Sequence, residues 1–253
     1  LNQDSNDLAI INIDNNYGLS FFKKINKRIT KPKIIKISTK QKLDNTIYLD
    51  NENIIDNLDN NKVLIGKVKN LTKLKGMHNI ENILCTLAAA RYIGLTHDQI
   101  RSKLPTYKSL PNRLETVYVN KNVEIINDSK ATNLESCKVA LSCFDQIIWI
   151  AGGRRKQEDF KYLVNSLNNI QAAYFIGEAA DDFYSYFKNF FYCKNSININ
   201  TAIIEALKFA KNTNNITILF SPGCSSFDQF KNFEDRGNFF KNEISKLIHG
   251  NLL

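Results

Sequence analysis

The nine residues Ile125 to Asn133, IINDSKATN, separate an apolar run from an amphipathic segment near the middle of the chain. The run IIN is typical of the end of a buried strand, and apolar side chains recur at helical spacing from Leu134 onward. Between the two lie an acid, two hydroxyls, an amine and an amide. A connection that only had to turn would favour Gly, Pro or Asn. The stretch therefore predicts a strand, a chemically rich loop and a helix.

The same alternation continues through the second half of the chain. Apolar runs predict four strands: NVEIIN from Asn122, QIIWIAG from Gln146, AAYFIG from Ala172 and ITILFS from Ile216. Helices are predicted to begin near Leu134, Glu158, Glu178, Asn200 and Phe227, with a last one from Gly237 to the end. Apolar strands that alternate with helices indicate a mostly parallel sheet covered on both faces. Residues 111–253 are therefore predicted to form a Rossmann-like, doubly wound α/β domain.

The first half has a different pattern. Residues 1 to about 75 contain short β-like runs separated by Asn- and Lys-rich turns, with no long helix pattern. A helix is predicted from His78, since Ile80, Ile83 and Leu87 recur at helical spacing and Gly94 can cap its end. A second helix is predicted from Thr96, a good N-cap, to Leu104, before Pro105. We expect a domain boundary near residue 110, so residues 1–110 form a separate domain.

Composition limits the classes of function. The formal net charge of +9 invites a nucleic-acid interpretation, but the lysines are scattered and no basic stripe is interleaved with stacking aromatics. We therefore expect no nucleic-acid partner. There is no apolar run of about 18 residues, so no membrane span is expected. Five cysteines without a C-x-x-C pair indicate reduced thiols in a cytoplasmic protein, and the three scattered histidines do not favour zinc.

Four loops follow the predicted strands: NDSKATN, GGRRKQEDF, GEAADD and SPGCSSFDQF. In parallel α/β sheets ligands bind beyond the carboxyl ends of the strands, so these loops are expected to share one edge. Hydroxyls and amines there could bind an anion, with the N-terminus of the helix from Leu134 adding free amides. The alternative is that Asp128 and Thr132 only cap and Lys130 is solvated. Cys224 is interpreted as a packed thiol rather than a nucleophile, because no neighbouring His activates it.

Two further groups have structural alternatives. Among Arg154, Arg155 and Lys156 a solvated basic turn is the default interpretation for any two. Asn79 and Asn82 lie three residues apart on one face of a predicted helix start. Their amides could bind a purine edge, but on the residues alone capping is favoured.

Five segments together resemble the Mur ligase family: GMHNIEN, LPNRLE, INDSKATN, the pair GG followed by Lys156, and SPGCSSFDQFKNFEDRGNFF. They occur in the order and spacing of that family, and INDSKATN in particular is similar to its D-glutamate-adding branch. The resemblance is strong from about Gly76 to Lys246 and weaker before, where mainly IINIDNN matches. It implies ATP-dependent ligation of D-glutamate to UDP-N-acetylmuramoyl-L-alanine through an acyl phosphate, in cytoplasmic cell-wall synthesis.

The resemblance also implies residue roles. Asn79 and Asn82 would face the adenine of ATP, and Arg113 and Asp128 its ribose and phosphates. The D-glutamate pocket would comprise two lysines, two hydroxyls and two aromatic rings: Lys130, Thr132, Lys156, Ser226, Phe227 and Phe233. Lys130 and Lys156 would carry the catalytic charge, with ATP and Mg²⁺ as cofactors. Such chemistry depends on positioning and charge stabilisation.

The sequence departs from the family pattern at several positions, and these departures affect the domain content and activity that we expect. Asn112 replaces the family's usual His before the arginine, and SPGCSS replaces SPACAS. No G-x-x-x-x-G-K-[ST] phosphate loop occurs, and the upstream metal ligands are missing, so Mg²⁺ ligands are expected outside this chain. Residues 1–110 are therefore expected to be the rear part of a central ATP-binding domain and residues 111–253 the amino-acid-binding domain. The chain is expected to be a fragment or split-gene product, inactive without a separate chain carrying the N-terminal half.

Two alternatives remain open. One is another amide ligase of the same superfamily, including the enzymes that glutamylate folates. The other is a non-catalytic remnant that folds without ligating.

Overall fold

The computed structural model describes residues 2–156 and 159–249. The chain divides into two compact units, Leu1–Lys108 and Ser109–Leu253. Each unit has its own sheet and its own buried core, so each is described by itself.

The first unit is built on a five-stranded sheet. Its strands are β1 (Leu8–Asn12), β2 (Lys33–Ser38), β3 (Thr46–Asp50), β4 (Asn53–Asn57) and β5 (Val63–Lys67), in that spatial order. The first three strands run parallel, and β3, β4 and β5 pair antiparallel. Strands β1 and β4 alternate buried and partly exposed residues, the pattern of a sheet that covers one core.

Four helices flank this sheet: α1 (Asn16–Asn26), α2 (Val68–Leu71), α3 (Met77–Tyr92) and α4 (His97–Lys103). In α3 the buried residues Ile83, Leu84 and Leu87 lie on one face, as the periodicity predicts. In α4 the Thr96 side chain accepts from the Gln99 amide while the Gln99 side chain accepts from the Thr96 amide. This reciprocal capping box confirms the predicted helix start.

Helix α1 contradicts the expectation of no long helix before residue 75. It buries only Ile25, so it lacks the wide apolar stripe by which a helix is recognised in a sequence. Its N-terminus is fixed instead by Asn15, whose side chain accepts from the Gly18 amide at 2.8 Å. The signal was therefore a cap and not a periodicity.

The second unit is a six-stranded sheet with helices on its faces. Its elements are β6 (Glu115–Val119), β7 (Val123–Asn127), α5 (Leu134–Leu141), β8 (Ile147–Gly152), β9 (Ile170–Ile176), α6 (Ala180–Phe187), β10 (Tyr192–Ile197), α7 (Ile199–Ala210), β11 (Ile216–Phe220) and α8 (Phe233–His249). The strand order is β10-β9-β8-β11-β7-β6. Only β6 pairs antiparallel among these strands, so the sheet is mostly parallel, as predicted.

The continuous apolar strands are explained by two cores, one on each face of this sheet. Trp149 of β8 packs edge-on against Phe175 at 5.7 Å and Phe187 at 5.6 Å, on one face. The neighbouring Ile148 and Ile150 belong to the core on the other face. Because side chains alternate across a strand, a strand buried on both sides must be apolar at every position.

Several predicted boundaries in the second unit are wrong. No α-helix begins at Phe227; residues 221–232 are irregular, and α8 begins at Phe233 rather than Gly237. Asn232 caps α8, since its side chain accepts from the Asp235 amide at 2.7 Å. Glu158 lies outside the described residues, and the next element is a 3₁₀ segment, Phe160–Ser166. Strands β6 and β10 were not predicted, because they lie at the sheet edges and carry polar residues.

Gly237 permits the closest approach of α8 to the segment before β6. A Cβ atom at this position would lie 2.0 Å from Oδ1 of Asn112 and 3.0 Å from Cβ of Ser129. The amide of Asn112 is itself buried, with its Oδ1 accepting from Nδ2 of Asn127 at 2.9 Å. Helix α8 can therefore seat against this network only without a side chain at Gly237.

We predict that Gly237→Ala destabilises the protein by ~1–3 kcal/mol, although Ala is the better helix former. The added methyl group must displace the buried Asn112 amide. The measurement is urea unfolding, with Asn242→Ala at an exposed position of α8 as the control. The control is expected within about 0.5 kcal/mol of the parent. Equal stability of the glycine variant and the parent would refute the steric role of Gly237.

Candidate functional site

Asp128 ties together three segments at the carboxyl edge of the second sheet. Its Oδ1 accepts from the Leu114 amide at 3.1 Å and its Oδ2 accepts from the Ser221 hydroxyl at 3.0 Å. Its own amide donates to the Phe220 carbonyl at 2.8 Å. The residue is only 7% exposed. Asp128 therefore does not cap α5; that cap is Asn133, which accepts from the Ser136 amide.

Burial dominates the electrostatics of Asp128. It raises the pKa of the carboxyl group from 3.8 to about 6, although the hydrogen bonds from Leu114 and Ser221 and the charge of Arg113 all act to lower that pKa. Desolvation disfavours the charged form of an acid, which is the direction observed. At neutral pH the group is still mostly ionised.

Lys130 is held in place at both ends. Its backbone amide donates to the Asn112 carbonyl at 3.0 Å. Its ammonium nitrogen lies 3.8 Å from the centroid of the Phe233 ring, a cation–π contact. Thr132 follows in the same loop, with its amide donating to the Lys130 carbonyl at 2.9 Å. The structure thus brings together Lys130, Thr132 and Phe233, and Lys130 is not simply solvated.

Asn112 occupies the position at which the sequence departs from the family pattern. Its backbone has a φ of 63°, in the left-handed region that Asn tolerates better than most residues. Its side chain accepts from Asn127 and its carbonyl accepts from Lys130. Asn112 therefore supports the loop that carries Lys130 through both its side chain and its backbone.

The three basic residues in the loop after β8 differ in the groups that they contact. Arg154 makes two hydrogen bonds to the Glu178 carboxylate, at 3.0 and 2.8 Å. Arg155 donates to Asp182 at 3.1 Å and lies over the Phe160 ring. Within residues 2–156 and 159–249 no ion pair involves Lys156, which is exposed. Lys156 is thus the residue of this trio whose charge remains available to an anion.

The loop after β11 combines buried and exposed groups. Ser226 is 2% exposed, and its carbonyl accepts from the Phe230 amide at 2.9 Å. Cys224 is fully buried, as the packed-thiol interpretation predicts. Phe227 is 63% exposed on the surface of the loop. Ser225 forms a β-bridge with Arg154, which joins this loop to the one after β8.

In the first unit, Asn79 and Asn82 line a pocket of about 590 Å³. Nδ2 of Asn79 donates to the Lys75 carbonyl at 2.7 Å, so part of this amide is used at the helix start. The lining is largely apolar, and its polar groups include Asn79, Asn82, Thr86, Gln99, Lys103 and Tyr107. Such a pocket suits a flat, largely apolar ring with a few polar edges.

Sequence reasoning overlooked three residues that support the site. Ser221 donates to Asp128, Ser129 donates to the Phe233 carbonyl, and Arg236 is buried beside both loops. Ser221 is the last residue of the predicted strand ITILFS, and Ser129 lies two residues after the predicted strand NVEIIN, so their positions were an available signal. Arg236 had no signal, since an arginine on a helix is usually solvated.

No cluster of three or more His, Cys, Asp and Glu residues suited to a metal ion occurs in the part of the chain that the structure describes. Likewise, none of the helices described is both long and apolar enough to span a membrane.

Comparison with known proteins identifies the family. Residues 1–90 match the model of the Mur ligase middle domain. A UDP-N-acetylmuramoylalanine--D-glutamate ligase of Prochlorococcus marinus (strain MIT 9312) is 39% identical over 220 residues, which cover 81% of this chain and 47% of that relative. The ligase of the same name from Phenylobacterium zucineum (strain HLK1) is 32% identical over 254 residues, covering 99% of this chain and 53% of the relative.

The chain belongs to the Mur ligase family. It spans about half the length of the curated relatives that it matches. Solved structures support the same fold for this Mur ligase chain. The structure of UDP-N-acetylmuramoyl-L-alanyl-D-glutamate--2,6-diaminopimelate ligase matches with a TM-score of 0.57 at 14% identity, covering 96% of this chain and 54% of the other.

Folylpolyglutamate synthase of Mycobacterium tuberculosis matches with a TM-score of 0.60 at 13% identity, covering 93% of this chain and 55% of the other. Identities this low show the shared fold and no more. The α/β architecture of the Mur ligase chain is therefore found in solved structures of both enzymes.

We predict that Asp128→Asn gains stability relative to the parent as the pH rises. The raised pKa means that the unfolded chain loses its proton near pH 3.8 and the folded chain near pH 6. Ionisation therefore destabilises the fold between these values, and the penalty remains above pH 6. The amide cannot ionise, so the difference in unfolding free energy should shift in its favour by ~2 kcal/mol from pH 4 to pH 7.

The measurement is urea unfolding at both pH values. The control is Asp145→Asn, at an exposed carboxylate of the same unit. An equal pH trend in both variants would contradict burial as the cause.

Proposed function

We propose that the chain takes part in ATP-dependent ligation of D-glutamate to UDP-N-acetylmuramoyl-L-alanine, a cytoplasmic step of peptidoglycan synthesis. The observation that carries the proposal is an identity of 32–39%, over most of this chain, to relatives named for that ligase. The chain spans about half the length of those relatives, so the complete reaction is proposed for this chain together with the remaining part.

The proposed division of labour follows the two units. Residues 1–110 form the rear part of the central ATP-binding domain, and residues 111–253 bind the amino acid. In support, the first unit contains the match to the middle-domain model. The second unit contains the polar loops at the carboxyl ends of parallel strands, the place where such folds bind ligands.

The proposed D-glutamate pocket uses the loops after β7, β8 and β11. Lys130 and Lys156 pair with the two carboxylates of the substrate, while the hydroxyls of Thr132 and Ser226 donate to them. A dicarboxylate leaving water needs charge-assisted partners of this kind, because each unpaired charge is costly to desolvate. Lys156 suits the role because its charge is not used by an acid in the described residues.

The aromatic residues contribute in different ways. Phe233 supports the ammonium group of Lys130 from one side, which leaves the other side of that group for a carboxylate. Phe227 is exposed and so available to cover the methylene groups of the substrate. Together they would limit access of water to the paired charges.

The proposed chemistry is acyl transfer. Bound ATP supplies the phosphoryl group that activates the alanyl carboxylate. The amine of D-glutamate forms the new C–N bond, phosphate leaves, and the amine loses a proton. Lys130 and Lys156 orient the amine by fixing the carboxylates and stabilise the negative charge that develops, so their contribution is electrostatic and positional.

In the first unit, Asn79 and Asn82 are assigned to the adenine of ATP. In support, both residues line a largely apolar pocket of about 590 Å³. In the second unit Arg113 and Asp128 are assigned to the ribose and phosphates. For Asp128 that role comes in addition to the structural bonds to Leu114 and Ser221.

Mg²⁺ is the second cofactor that the family resemblance implies. The described residues offer no cluster of three or more ligands, so they do not fit a metal centre by themselves. No step of the mechanism is assigned to this ion.

The proposal includes a separate chain. The relatives contain about as much sequence again as the region matched here. We propose that ligation requires that remaining part as a partner. The test is formation of ADP in the presence of both substrates, by the chain alone and after addition of the first half of a relative. Turnover is expected only with the mixture, and equal rates in both samples would overturn this part of the proposal.

We predict that Lys156→Met weakens D-glutamate binding by about 10- to 100-fold, the equivalent of one lost charge-assisted hydrogen bond. The measurement is isothermal titration calorimetry of the full chain with D-glutamate. The methionine keeps the length of the side chain and removes only its charge.

Two controls accompany this titration. Lys161→Met removes another exposed lysine of the same unit and should bind like the parent. L-glutamate should bind more weakly than D-glutamate to the parent. Equal binding of the two enantiomers would favour another amide ligase, and the absence of any binding would favour a remnant.

A further inference from the structure

Arg236 is a buried cation whose hydrogen-bond acceptors are all uncharged, although the charge of Asp228 also acts on it. It is 1% exposed, in the first turns of α8. Nε donates to the Ser129 hydroxyl at 3.1 Å, Nη2 to the Ser129 carbonyl at 2.9 Å and Nη1 to the Cys224 carbonyl at 3.0 Å. Within the described ranges no ion pair involves this guanidinium. Burial lowers its pKa to about 10, so it remains charged at neutral pH.

Such an arrangement is expensive for the fold. A buried charge without an ionic partner costs more than a well-packed apolar side chain of similar volume. Stability alone therefore does not explain an arginine here. The geometry of its contacts offers an explanation, because the planar guanidinium can donate in several fixed directions at once.

The three contacts join two loops of the proposed D-glutamate pocket. Ser129 lies between Asp128 and Lys130 in the loop after β7, and Cys224 lies two residues before Ser226 in the loop after β11. The loop after β8 also reaches the same group, since a Cβ atom on Gly153 would come within 3.1 Å of Nη1. All three strand-end loops thus meet at one guanidinium.

The same helix end also holds the Lys130 side chain. The Ser129 hydroxyl donates to the Phe233 carbonyl at 2.8 Å while it accepts from Arg236. Phe233 lies one turn before Arg236, and its ring contacts the ammonium group of Lys130. Residues in the first turn of α8 therefore contact both the backbone of this loop, at Ser129, and the ammonium group of Lys130.

We propose that Arg236 is a positioning residue that sets the loop after β7 against the loop after β11, so that Lys130 and Ser226 can engage one ligand together. The proposal rests on the proposed function of this pocket. Arg236 acts through Ser129 and Cys224 and does not touch the substrate.

The test compares Arg236→Lys with Arg236→Met. Lysine keeps the charge but loses the planar fork, whereas methionine loses both. The control is Ile244→Val, which removes one methyl group from a buried residue of the same helix, eight residues beyond Arg236 in the chain. All variants are studied at a temperature well below their unfolding midpoints.

Two quantities are measured. The first is the Kd for D-glutamate by calorimetry, which should rise about tenfold or more in both arginine variants, because loops shifted by even ~1 Å lose binding geometry. The second is amide hydrogen exchange at Lys130 and Ser225, relative to Ile218 in the middle of β11. The ratio should rise about tenfold in both arginine variants, as expected when a local opening becomes easier. Ile244→Val should change neither quantity.

The outcomes separate this inference from the proposed function. Parent-like affinity of Arg236→Lys would mean that the charge matters and the fork does not, which overturns the positioning role. Equal changes in Ile244→Val would mean that Arg236 contributes only general stability, which also overturns the positioning role. If the parent binds no D-glutamate, the proposed function fails, and the exchange ratios alone still decide whether Arg236 orders the two loops.

Discussion

The buried carboxylate of Asp128 is the interaction on which the second unit depends. It accepts from Leu114, before β6, and from Ser221, after β11, while its amide pairs with the end of β11. The ends of three strands are thereby locked at one edge of the sheet. Each of its carboxyl oxygens already accepts one hydrogen bond from the protein. The same residue that the sequence presents as a ligand contact is therefore first a structural junction.

A second junction is formed by Asn127, the residue before Asp128. The amide group of Asn127 donates to Asn112 and to the Gly237 carbonyl, and Arg236 reaches Ser129 and Cys224 from the neighbouring turn. These contacts are buried, and each of them joins two different segments of the chain. Polar networks in a low-dielectric interior fix a geometry when they are fully satisfied. The loops of this edge are therefore irregular in backbone shape yet held by specific bonds.

The sequence predicts the parts of the fold that periodicity or a clear N-cap such as Thr96 marks, and fails where the apolar stripe is narrow or long-range contacts decide. The parallel sheet follows from apolar runs such as Ile147 to Gly152, and the start of α4 follows from Thr96. Helix α1 was missed because one buried residue gives no stripe, and the helix predicted at Phe227 is absent because the Asn232 cap begins α8 later. At the site, the sequence predicts the polar loops, and the role of Lys156 stays a prediction. Arg236 was not predicted, since its partner Ser129 lies 107 positions away in the chain.

The capping box of α4 fixes the orientation of one side chain that lines the pocket of the first unit. Gln99 lines that pocket, and its side-chain oxygen accepts from the Thr96 amide at 2.8 Å. An amide group whose oxygen is used in this way is fixed in orientation, which leaves its nitrogen as the free end. The wall at Gln99 is thus a hydrogen-bond donor. A heterocycle bound at this wall would be favoured by a ring acceptor at that point and disfavoured by a second donor.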